Sequence, residues 1–367
     1  MTTNISLEDL GYKASIEELR KANQLEDFEI GRVIAEHKER YLVKTATCDF
    51  EAEVTGNLRF SAQGREDFPA VGDWVALINY DTNLAFIHSI LPRQSVLARQ
   101  AVGKFGEKQL IATNIDFAFL VQAVDRDFNI NRLERYLTIC HSSNVSPIIV
   151  LTKTDLIAPP RLQEIEGSVK RRIKNSPILA ISNETMAGYD SLTGILEKGK
   201  TYCLLGSSGV GKSTLMNKLS GRPLMKTSSI STSTHKGRHV TTHRELIILP
   251  GGGILIDNPG MREIGITDAA QALEATFDEI VHLAQQCKFG DCTHTSEKGC
   301  AVTEAVKQGK LDEQAYENFL KMEREQAHFD LSVSEKRKKD KAFGKMIKNV
   351  KTDMQKLSAK HHEPTKK

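Results

Sequence analysis

Residues 206–214, GSSGVGKST, contain the glycines, the lysine and the hydroxyl groups of a phosphate-binding loop. Lys212 can neutralise the β- and γ-phosphates of a nucleotide, and the Ser213 hydroxyl can ligate Mg²⁺. The preceding run TYCLLG predicts a strand, and backbone N–H groups at the start of the following helix can hold phosphate oxygens. The predicted phosphate-binding residues are Gly206, Ser207, Ser208, Gly209, Val210, Gly211, Lys212, Ser213 and Thr214, and Lys212 is also a predicted catalytic residue.

A second polar segment, TKTD at residues 152–155, follows the apolar run SPIIVL. This is the arrangement of the guanine-reading element of GTPases. A carboxylate offers only acceptors, so Asp155 can accept from both the ring N–H and the exocyclic amine of guanine, whereas adenine presents an acceptor at the ring position. The segment predicts guanine specificity, with Thr152, Lys153 and Asp155 as base-binding residues.

A second base-contacting loop is expected at residues 181–183, ISN, where Ser182 is the predicted contact. Asn183 stands where alanine is usual. Because the contact is normally made by a backbone N–H group, this replacement leaves the prediction unchanged. Both predicted base-reading segments precede the phosphate loop in the chain.

Two candidate switch segments follow the phosphate loop. In the first, GRHVTTHRE, Thr242 is the predicted second Mg²⁺ ligand and γ-phosphate sensor, with Thr241 as the alternative. In the second, Asp257 and Gly260 match the pattern D-x-x-G, and we expect Asp257 to hold Mg²⁺ through water and the Gly260 N–H to contact the γ-phosphate. The order is base, base, phosphate, switch, switch, whereas an ordinary GTPase starts with the phosphate loop. This order indicates a circular permutation.

Four metal-binding side chains, Cys287, Cys292, His294 and Cys300, form the pattern C-x4-C-x-H-x5-C. A closed set of three cysteines and one histidine suits tetrahedral, structural Zn²⁺, so we predict one Zn²⁺ per chain. His282 is a competing ligand one turn earlier. It lies within the helical pattern ATFDEIVHLAQQC, and we expect it on a helix face.

The elements that position these residues change in type along the chain. Residues 28–99 consist of short strand-like pieces: FEIGRVIAEHKERYLVKTA, FEAEVTGNLRF, PAVGDWVALINY and LAFIHSILPR. They predict a small antiparallel barrel of the OB type, a fold that commonly binds nucleic acid. A structural, protein-contacting barrel is the alternative, in which Phe60 and Trp74 are core residues.

From residue 111 onward, apolar runs alternate with helical patterns. NIDFAFLVQAV, SPIIVLTKTDL and SPILAISNE are typical of buried strands, and NINRLERYLTICHSS and SLTGILEKG have the character of helices. This alternation predicts a parallel sheet covered by helices.

Length and composition limit the remaining classes. A chain of 367 residues suggests two or three domains, and 40% apolar with 26% charged residues is ordinary for globular proteins. No apolar run approaches the roughly 20 residues of a membrane helix, and the start lacks a secretory signal, so we expect a cytoplasmic protein with no membrane partner. Residues 332–367 carry twelve Lys and Arg against four Asp and Glu. This basic tail favours polyanion binding, with a solvated tail as the alternative.

The motifs in this order resemble the circularly permuted GTPases of the RsgA/YjeQ type. The resemblance runs from PAVGDWV through LTKTD, GSSGVGKST, GRHVTTH and DNPGMRE to CKFGDCTHTSEKGC, which is most of the chain. It implies an α/β P-loop GTPase with an N-terminal OB-like barrel and a C-terminal helical zinc-binding domain. The expected parts are a barrel at 1–105, a permuted GTPase domain at 106–270, a zinc-binding helical domain at 271–331 and the basic tail at 332–367.

The resemblance also implies an activity: hydrolysis of GTP to GDP and phosphate, stimulated by the small ribosomal subunit during late subunit maturation. The implied partners are GTP, GDP, the small subunit and its rRNA, and the implied cofactors are Zn²⁺ and the Mg²⁺ that accompanies GTP. A monomer is expected. Residues of the barrel, the zinc domain and the tail would contact rRNA.

The predicted catalytic group departs from Ras-like GTPases, which place a water-orienting Gln after the D-x-x-G glycine. This chain has Met261, which cannot polarise water, so we expect slow intrinsic hydrolysis. His239 on the first switch is the nearest polar candidate, and the resemblance implies a catalytic role for it; an exposed switch histidine is the alternative. The family usually has three threonines at this switch, but Val240 leaves only two.

Two other functions are compatible with parts of the sequence. An ATP-dependent P-loop enzyme would share the phosphate loop, but the TKTD segment with Asp155 favours guanine. A nucleic-acid-binding scaffold would use the nucleotide only to stabilise its fold. Single-turnover hydrolysis with and without ribosomal subunits separates the scaffold from the GTPase.

Overall fold

The computed structural model describes residues 5–37, 40–100, 108–125, 128–224, 245–257 and 270–330. Within these ranges the strands form one eleven-stranded and one two-stranded sheet. None of the described helices combines the length and apolar composition needed to cross a bilayer. The predicted boundary at residue 105 and the basic tail lie outside the described residues, and the domain boundaries stay predictions.

The N-terminal strands form a closed barrel. After helix α1 (Ala14–Ala22), the chain forms β1 (Glu29–His37), β2 (Arg40–Lys44), β3 (Asp49–Val54), β4 (Trp74–Asp81) and β5 (Leu84–Ile90). Strand β1 pairs with both β2 and β4, so the order β1-β2-β3-β5-β4 closes on itself. In β3 the apolar side chains Phe50, Ala52 and Val54 are buried while the intervening acidic ones are exposed, as expected for a half-buried strand. The predicted OB-like barrel is confirmed, but it is not antiparallel throughout, because β3 and β5 pair in parallel.

Part of one predicted strand piece is helical. Residues Gly56–Ser61 form helix α2, whose N-cap Thr55 accepts a hydrogen bond from the Leu58 N–H at 3.4 Å. This side-chain cap satisfies a backbone donor that a strand ladder would otherwise have to pair. Phe60 on α2 is 92% exposed, so the alternative of a core Phe60 is wrong, whereas Trp74 is 2% exposed and belongs to the core.

The central region contains the predicted alternation of strands and helices. Its elements are β6 (Val96–Gln100), β7 (Lys108–Thr113), β8 (Phe117–Ala123), α3 (Ile130–Ser142), β9 (Ser146–Thr152), α4 (Pro159–Arg172), β10 (Ile178–Ala180), α5 (Tyr189–Gly194), β11 (Thr201–Leu205), α6 (Lys212–Ser220), β12 (Glu245–Ile248) and β13 (Ile254–Asp257). The strands lie in the order β10-β9-β8-β11-β13-β12, and all neighbours are parallel except β13 and β12. Two apolar clusters contain the buried side chains of this sheet and its helices. The predicted parallel sheet is confirmed.

The barrel and the central sheet are continuous. Ala35 of β1 pairs with Glu245 of β12, which links the two groups of strands into one sheet. One apolar cluster contains Ile34 and Val71 from the barrel together with Ile256 from the central sheet. The two regions therefore share backbone pairing and a hydrophobic core.

The last described region is helical. It contains α7 (Ala270–Thr276), α8 (Asp278–Ala284), α9 (Ala301–Lys307) and α10 (Glu313–Asp330). A separate apolar cluster, with Phe277, Ile280, Val302, Phe319 and Met322 among its members, holds these helices together. Below, the region from 270 to 330 is called the helical domain.

Candidate nucleotide site and metal centre

The phosphate loop connects β11 to α6. Lys212 is the first residue of α6, and its ammonium group donates hydrogen bonds to the carbonyl oxygens of Gly206 and Ser207. In this position the Lys212 ammonium group lies against the loop that would surround the phosphates. The strand, loop and helix around residues 206–214 are those that the sequence predicted.

The predicted base-reading loops are tied to the phosphate loop by side-chain hydrogen bonds. The Thr152 hydroxyl donates to the Val210 carbonyl at 2.6 Å, and the Asn183 amide donates to the Gly211 carbonyl at 3.3 Å. Tyr189 completes the link by donating to the Asn183 side-chain oxygen at 2.6 Å. Gly211 has φ +95, and an added Cβ would lie 2.7 Å from the Asn183 amide nitrogen, so only glycine fits there.

Asp155 and Ser182 also lie together. The Ser182 hydroxyl donates to Asp155 Oδ1 at 2.5 Å and accepts from the backbone N–H groups of Glu184 and Thr185. The rest of the Asp155 side chain is exposed, so its carboxylate can accept hydrogen bonds from a base. Ser182 thus orients the carboxylate while backbone groups orient Ser182.

Lys153 adopts the left-handed conformation, with φ 61, between β9 and the single turn of 3-10 helix at Thr154–Leu156. Its ammonium group forms an ion pair with Asp125 at 2.6 Å, and both side chains are largely buried. Asp125 follows β8, so this pair fixes the TKTD segment to the neighbouring strand end.

Asp257 is the last residue of β13, which runs parallel to β11. Its carboxyl group therefore lies at the edge of the sheet from which the phosphate loop emerges. Burial, together with the charge of Glu245, its partner across the β12–β13 ladder, raises the pKa of Asp257 to about 6. A cation near this carboxylate would favour the ionised form, which is what a Mg²⁺ site requires.

Several predicted residues lie outside the described part of the chain. These are His239, Thr241, Thr242, Gly260 and Met261. Their predicted roles in hydrolysis and Mg²⁺ binding stay predictions. The described residues contain the two base-reading segments, the phosphate loop and Asp257.

The four predicted metal ligands form one cluster, in which all ligand atoms lie within 4.8 Å of one another. The sulfur atoms of Cys287 and Cys300 are each 3.6 Å from His294 Nδ1. His282 lies outside this cluster, exposed on α8, as the sequence predicted. Three thiols and one imidazole at these distances can hold a metal ion such as zinc.

Local interactions prepare the ligands for a metal. Cys300 is the N-cap of α9, and its sulfur accepts from the Thr303 N–H at 3.4 Å. Burial raises the pKa of the Cys300 thiol, but hydrogen bonds from Thr303 and His294 outweigh it and lower the pKa to about 6. The Tyr316 hydroxyl donates to the His294 carbonyl at 2.6 Å, which connects the cluster to α10. A thiolate is the form that binds metal, so the surroundings of Cys300 favour coordination by this residue.

Comparisons with known proteins agree with this architecture. The sequence model of the RsgA GTPase family matches residues 90–267. A curated relative, small ribosomal subunit biogenesis GTPase RsgA 1 of Bacteroides thetaiotaomicron, is 40% identical over 95% of this chain and 97% of its own length. Another, RsgA 2 of Lactiplantibacillus plantarum, is 46% identical over 83% of this chain and 85% of its own. The chain belongs to the RsgA GTPase family. It is therefore a GTP hydrolase.

Solved structures related to this family have the same fold. The crystal structure of YjeQ from Thermotoga maritima matches with a TM-score of 0.61 and 26% identity, over 80% of this chain and 96% of that one. YloQ, described as a circularly permuted GTPase, also gives a TM-score of 0.61, with 25% identity over 84% of this chain and 98% of that one. The predicted circular permutation is confirmed.

A second sequence model, that of ABC transporters, matches residues 189–361. This range contains the phosphate loop, which many ATP- and GTP-binding proteins share, but begins after the TKTD segment. The RsgA match includes both segments, and the relatives align along nearly the whole chain. The alternative of an ATP-dependent enzyme is thus wrong.

Sequence reasoning missed several side chains of these sites, among them Asn183, Asp125 and Tyr316. The sequence predicts a neutral replacement at Asn183, yet the Asn183 amide links the second base-reading loop to the phosphate loop. Asp125 and Tyr316 carry no motif, and their partners lie 28 and 22 residues away in the chain. Only Asn183 could have been recognised from the sequence. It is a polar residue at a position of the second base-reading loop where alanine is usual, which indicates a side-chain contact.

Proposed function

We propose that this RsgA-family GTPase hydrolyses GTP in the site formed by residues 152–155, 181–183 and 206–214, and that it acts in maturation of the small ribosomal subunit. The observation that carries the proposal is the pair of hydrogen bonds from Thr152 and Asn183 to the phosphate loop. They hold a guanine-reading carboxylate and a phosphate cradle in one rigid unit. The names of the relatives, which are small ribosomal subunit biogenesis GTPases, support the partner.

In this proposal each group has one task. Asp155 accepts from the guanine ring N–H and amine, Ser182 holds Asp155 in place, and the backbone N–H groups of the loop hold the phosphates. Lys212 moves from the loop carbonyls to the β- and γ-phosphates. Ser213 and Thr242 would ligate Mg²⁺, Asp257 would hold it through water, and the Gly260 N–H would contact the γ-phosphate. When bound, Mg²⁺ neutralises charge that develops on the phosphates.

The attacking water needs a polar group that Met261 does not offer. We assign this task to His239, which precedes the Mg²⁺-ligating threonine by three residues. Hydrolysis by the isolated protein is slow, and the small subunit accelerates it by positioning His239 to orient the attacking water. Supplied catalytic groups of this kind are worth factors of about 10³ to 10⁵ in phosphoryl transfer.

The Cys287, Cys292, His294 and Cys300 cluster holds one structural Zn²⁺. The four protein ligands would complete the coordination of a tetrahedral Zn²⁺, which would leave no position for substrate. These four residues, with zinc bound, would fix the loop between α8 and α9. The exposed Phe289 and the adjacent Lys288 at the tip of this loop suit contact with rRNA.

The remaining contacts with the subunit come from the barrel and the basic tail. Twelve cationic side chains against four anionic ones in residues 332–367 favour binding to the phosphate backbone of rRNA. We propose that the protein acts as a monomer in the cytoplasm. GTP hydrolysis then times its release from the subunit.

Base recognition is tested with Asp155→Asn. The new amide donates to the ring carbonyl of xanthine, so affinity for GTP should fall and affinity for xanthosine triphosphate should rise. Asp190→Asn, on the exposed side of α5, is the matched control. Unchanged GTP affinity of Asp155→Asn, measured by titration calorimetry, contradicts the proposed site.

The partner is tested by phosphate release with and without small ribosomal subunits, with large subunits as the control. We expect strong stimulation by small subunits only. In His239→Ala most of the stimulation should disappear, while GTP binding and the slow basal rate remain. Equal stimulation of both proteins removes His239 from the mechanism, and no stimulation of either favours the scaffold function.

A further inference from the structure

The first turn of α3 contacts the phosphate loop. Arg132 donates a hydrogen bond from its guanidinium group to the Ser207 hydroxyl at 2.8 Å, across 75 positions of the chain. Both side chains are partly buried. Among the described residues, Ser207 is the only hydrogen-bond acceptor of this guanidinium group. Arg132 is thus a second cation at the loop, beside Lys212, and no motif predicts it.

The second turn of the same helix contacts the helical domain. Arg135 forms a two-pronged ion pair with Glu325 of α10, with distances of 2.6 and 2.5 Å. Glu134, 2% exposed, accepts from the Asn318 amide of α10 at 2.7 Å and from Arg172 of α4 at 2.7 Å. The polar side of α3 therefore lies against α10.

The end of α3 contacts α7 in the same way. The Thr138 hydroxyl donates to the Thr276 hydroxyl at 2.9 Å, and His141 Nδ1 lies 3.1 Å from the same oxygen. On its other side α3 packs Leu133 and Leu137 into the core of the central sheet. One helix of thirteen residues, about 20 Å long, thus contacts the phosphate loop at its start and the helical domain along its length.

We propose that Arg132 is a positioning residue for the phosphate loop, and that docking of α10 on α3 holds Arg132 in place. The inference rests on the proposed phosphate-binding role of residues 206–214. Lys212 also contacts Ser207, through the carbonyl oxygen, but must leave it to reach the phosphates of a bound nucleotide. The Arg132 bond then remains as the described side-chain anchor of Ser207. The state of the helical domain is in this way linked to nucleotide retention and turnover.

The direct test compares Arg132→Ala, Arg132→Lys and Ser207→Ala in the full-length protein. A hydrogen bond from a charged donor is worth about 1.5 kcal/mol, so release of a fluorescent GDP analogue should become about tenfold faster in Arg132→Ala. We expect kcat for GTP to fall while KM changes little, and Arg132→Lys to restore part of both. The effects of Arg132→Ala and Ser207→Ala should not add. Arg161→Ala, an exposed arginine of α4 paired only locally, is the control and should leave release unchanged.

The link to the helical domain is tested by a double-mutant cycle. Glu325→Gln, which keeps the shape but removes the charge, should speed GDP release about threefold in the parent and have no effect in the Arg132→Ala background. Additive effects, or no effect of Glu325→Gln in the parent, overturn the coupling. Normal release from Arg132→Ala overturns the positioning role. Lys212→Ala separates this from failure of the proposed site: if it binds nucleotide like the parent, the phosphate-loop assignment itself is wrong.

Discussion

The central sheet is joined to its two neighbours in different ways. The barrel is joined through strand pairing at Ala35 and Glu245 and through a shared apolar core. The helical domain is joined through ion pairs and hydrogen bonds of α3 with α7 and α10. When polar contacts separate, their groups can form hydrogen bonds with water instead. When an apolar core separates, its side chains become exposed to water, and no new interaction offsets that cost. We therefore expect the barrel to unfold together with the central sheet, and the helical domain to separate from the sheet more easily.

The expected energies support this difference. Full burial of a side chain such as Ile34, Val71 or Leu97 stabilises by about 1.5–3 kcal/mol each. The Arg135–Glu325 pair is about one-third exposed on both sides, and such pairs contribute about 0–1 kcal/mol. The buried Glu134–Arg172 pair gains attraction but loses hydration.

Loss of the metal should unfold the helical domain alone. Cys292→Ala removes one of four ligands, and structural zinc contributes on the order of 10 kcal/mol in small zinc-binding peptides. We expect zinc content near zero and loss of helical circular dichroism, while GDP still binds and Trp74 fluorescence is unchanged. Cys48→Ala in the barrel, outside the cluster, is the matched control. If GDP binding disappears together with zinc, the helical domain is no separable part.

A change where the barrel meets the central sheet should destabilise the barrel and the nucleotide site together. Gly72 has φ +99, and an added Cβ would lie 2.2 Å from the Thr113 carbonyl oxygen at the end of β7. Gly72→Ala should therefore cost about 3 kcal/mol of unfolding free energy. Trp74, the only tryptophan, reports the barrel, and a bound fluorescent GDP reports the site.

Both signals should shift to lower denaturant by the same amount in Gly72→Ala. Gly64→Ala serves as the control, because its φ is −149 and the nearest atom to the added Cβ is 3.7 Å away. Separate transitions for the two signals would mean that the barrel unfolds independently of the central sheet.

The contact between α3 and the helical domain should become less stable as pH rises. Burial raises the pKa of Glu134, so the folded joint binds its proton more tightly than the unfolded chain does. The contribution of Glu134 to the free energy of unfolding therefore falls as pH increases from 4.5, the pKa of this group in the unfolded chain, through the raised pKa of the folded protein. Burial lowers the pKa of His141, whose effect has the opposite sign and appears below pH 6.5.

Glu134→Gln isolates the first effect. The difference in denaturation midpoint between Glu134→Gln and the parent should depend on pH across this window, with the parent losing stability relative to the variant as pH rises. Glu164→Gln, on the exposed face of α4, provides the comparison. A pH-independent difference would show that the Arg172 charge fully compensates the burial of Glu134.

The smallest expected change in stability is at the partly exposed ion pair between α3 and α10. Arg135→Ala should lower the unfolding free energy by about 0–1 kcal/mol, and by less at high salt, because the pair with Glu325 is partly exposed. Urea unfolding at two salt concentrations measures this. A loss above about 2 kcal/mol would place the Arg135–Glu325 pair among the buried, strongly coupled ones.

The sequence predicted those parts of the fold that follow from local patterns. The alternation in β3, the continuous apolar runs of β8 and β9 and the ligand spacing from Cys287 to Cys300 each have one physical interpretation. Helix α2 was not predicted because the N-cap at Thr55 determines its structure, whereas the surrounding sequence is typical of strands. Contacts such as Arg132 with Ser207 join residues far apart in the chain, and no local pattern encodes them.

The closure of the barrel has a consequence for aggregation. An ordinary open sheet has two edge strands, each with a row of unpaired backbone groups that can add a strand from another molecule. In the eleven-stranded sheet described here, β4 turns back to pair with β1, so one end is sealed. The other end is β10, only three residues long. The large sheet therefore offers a foreign strand little backbone with which to pair, and we expect this sheet to resist edge-to-edge association even when the protein is concentrated.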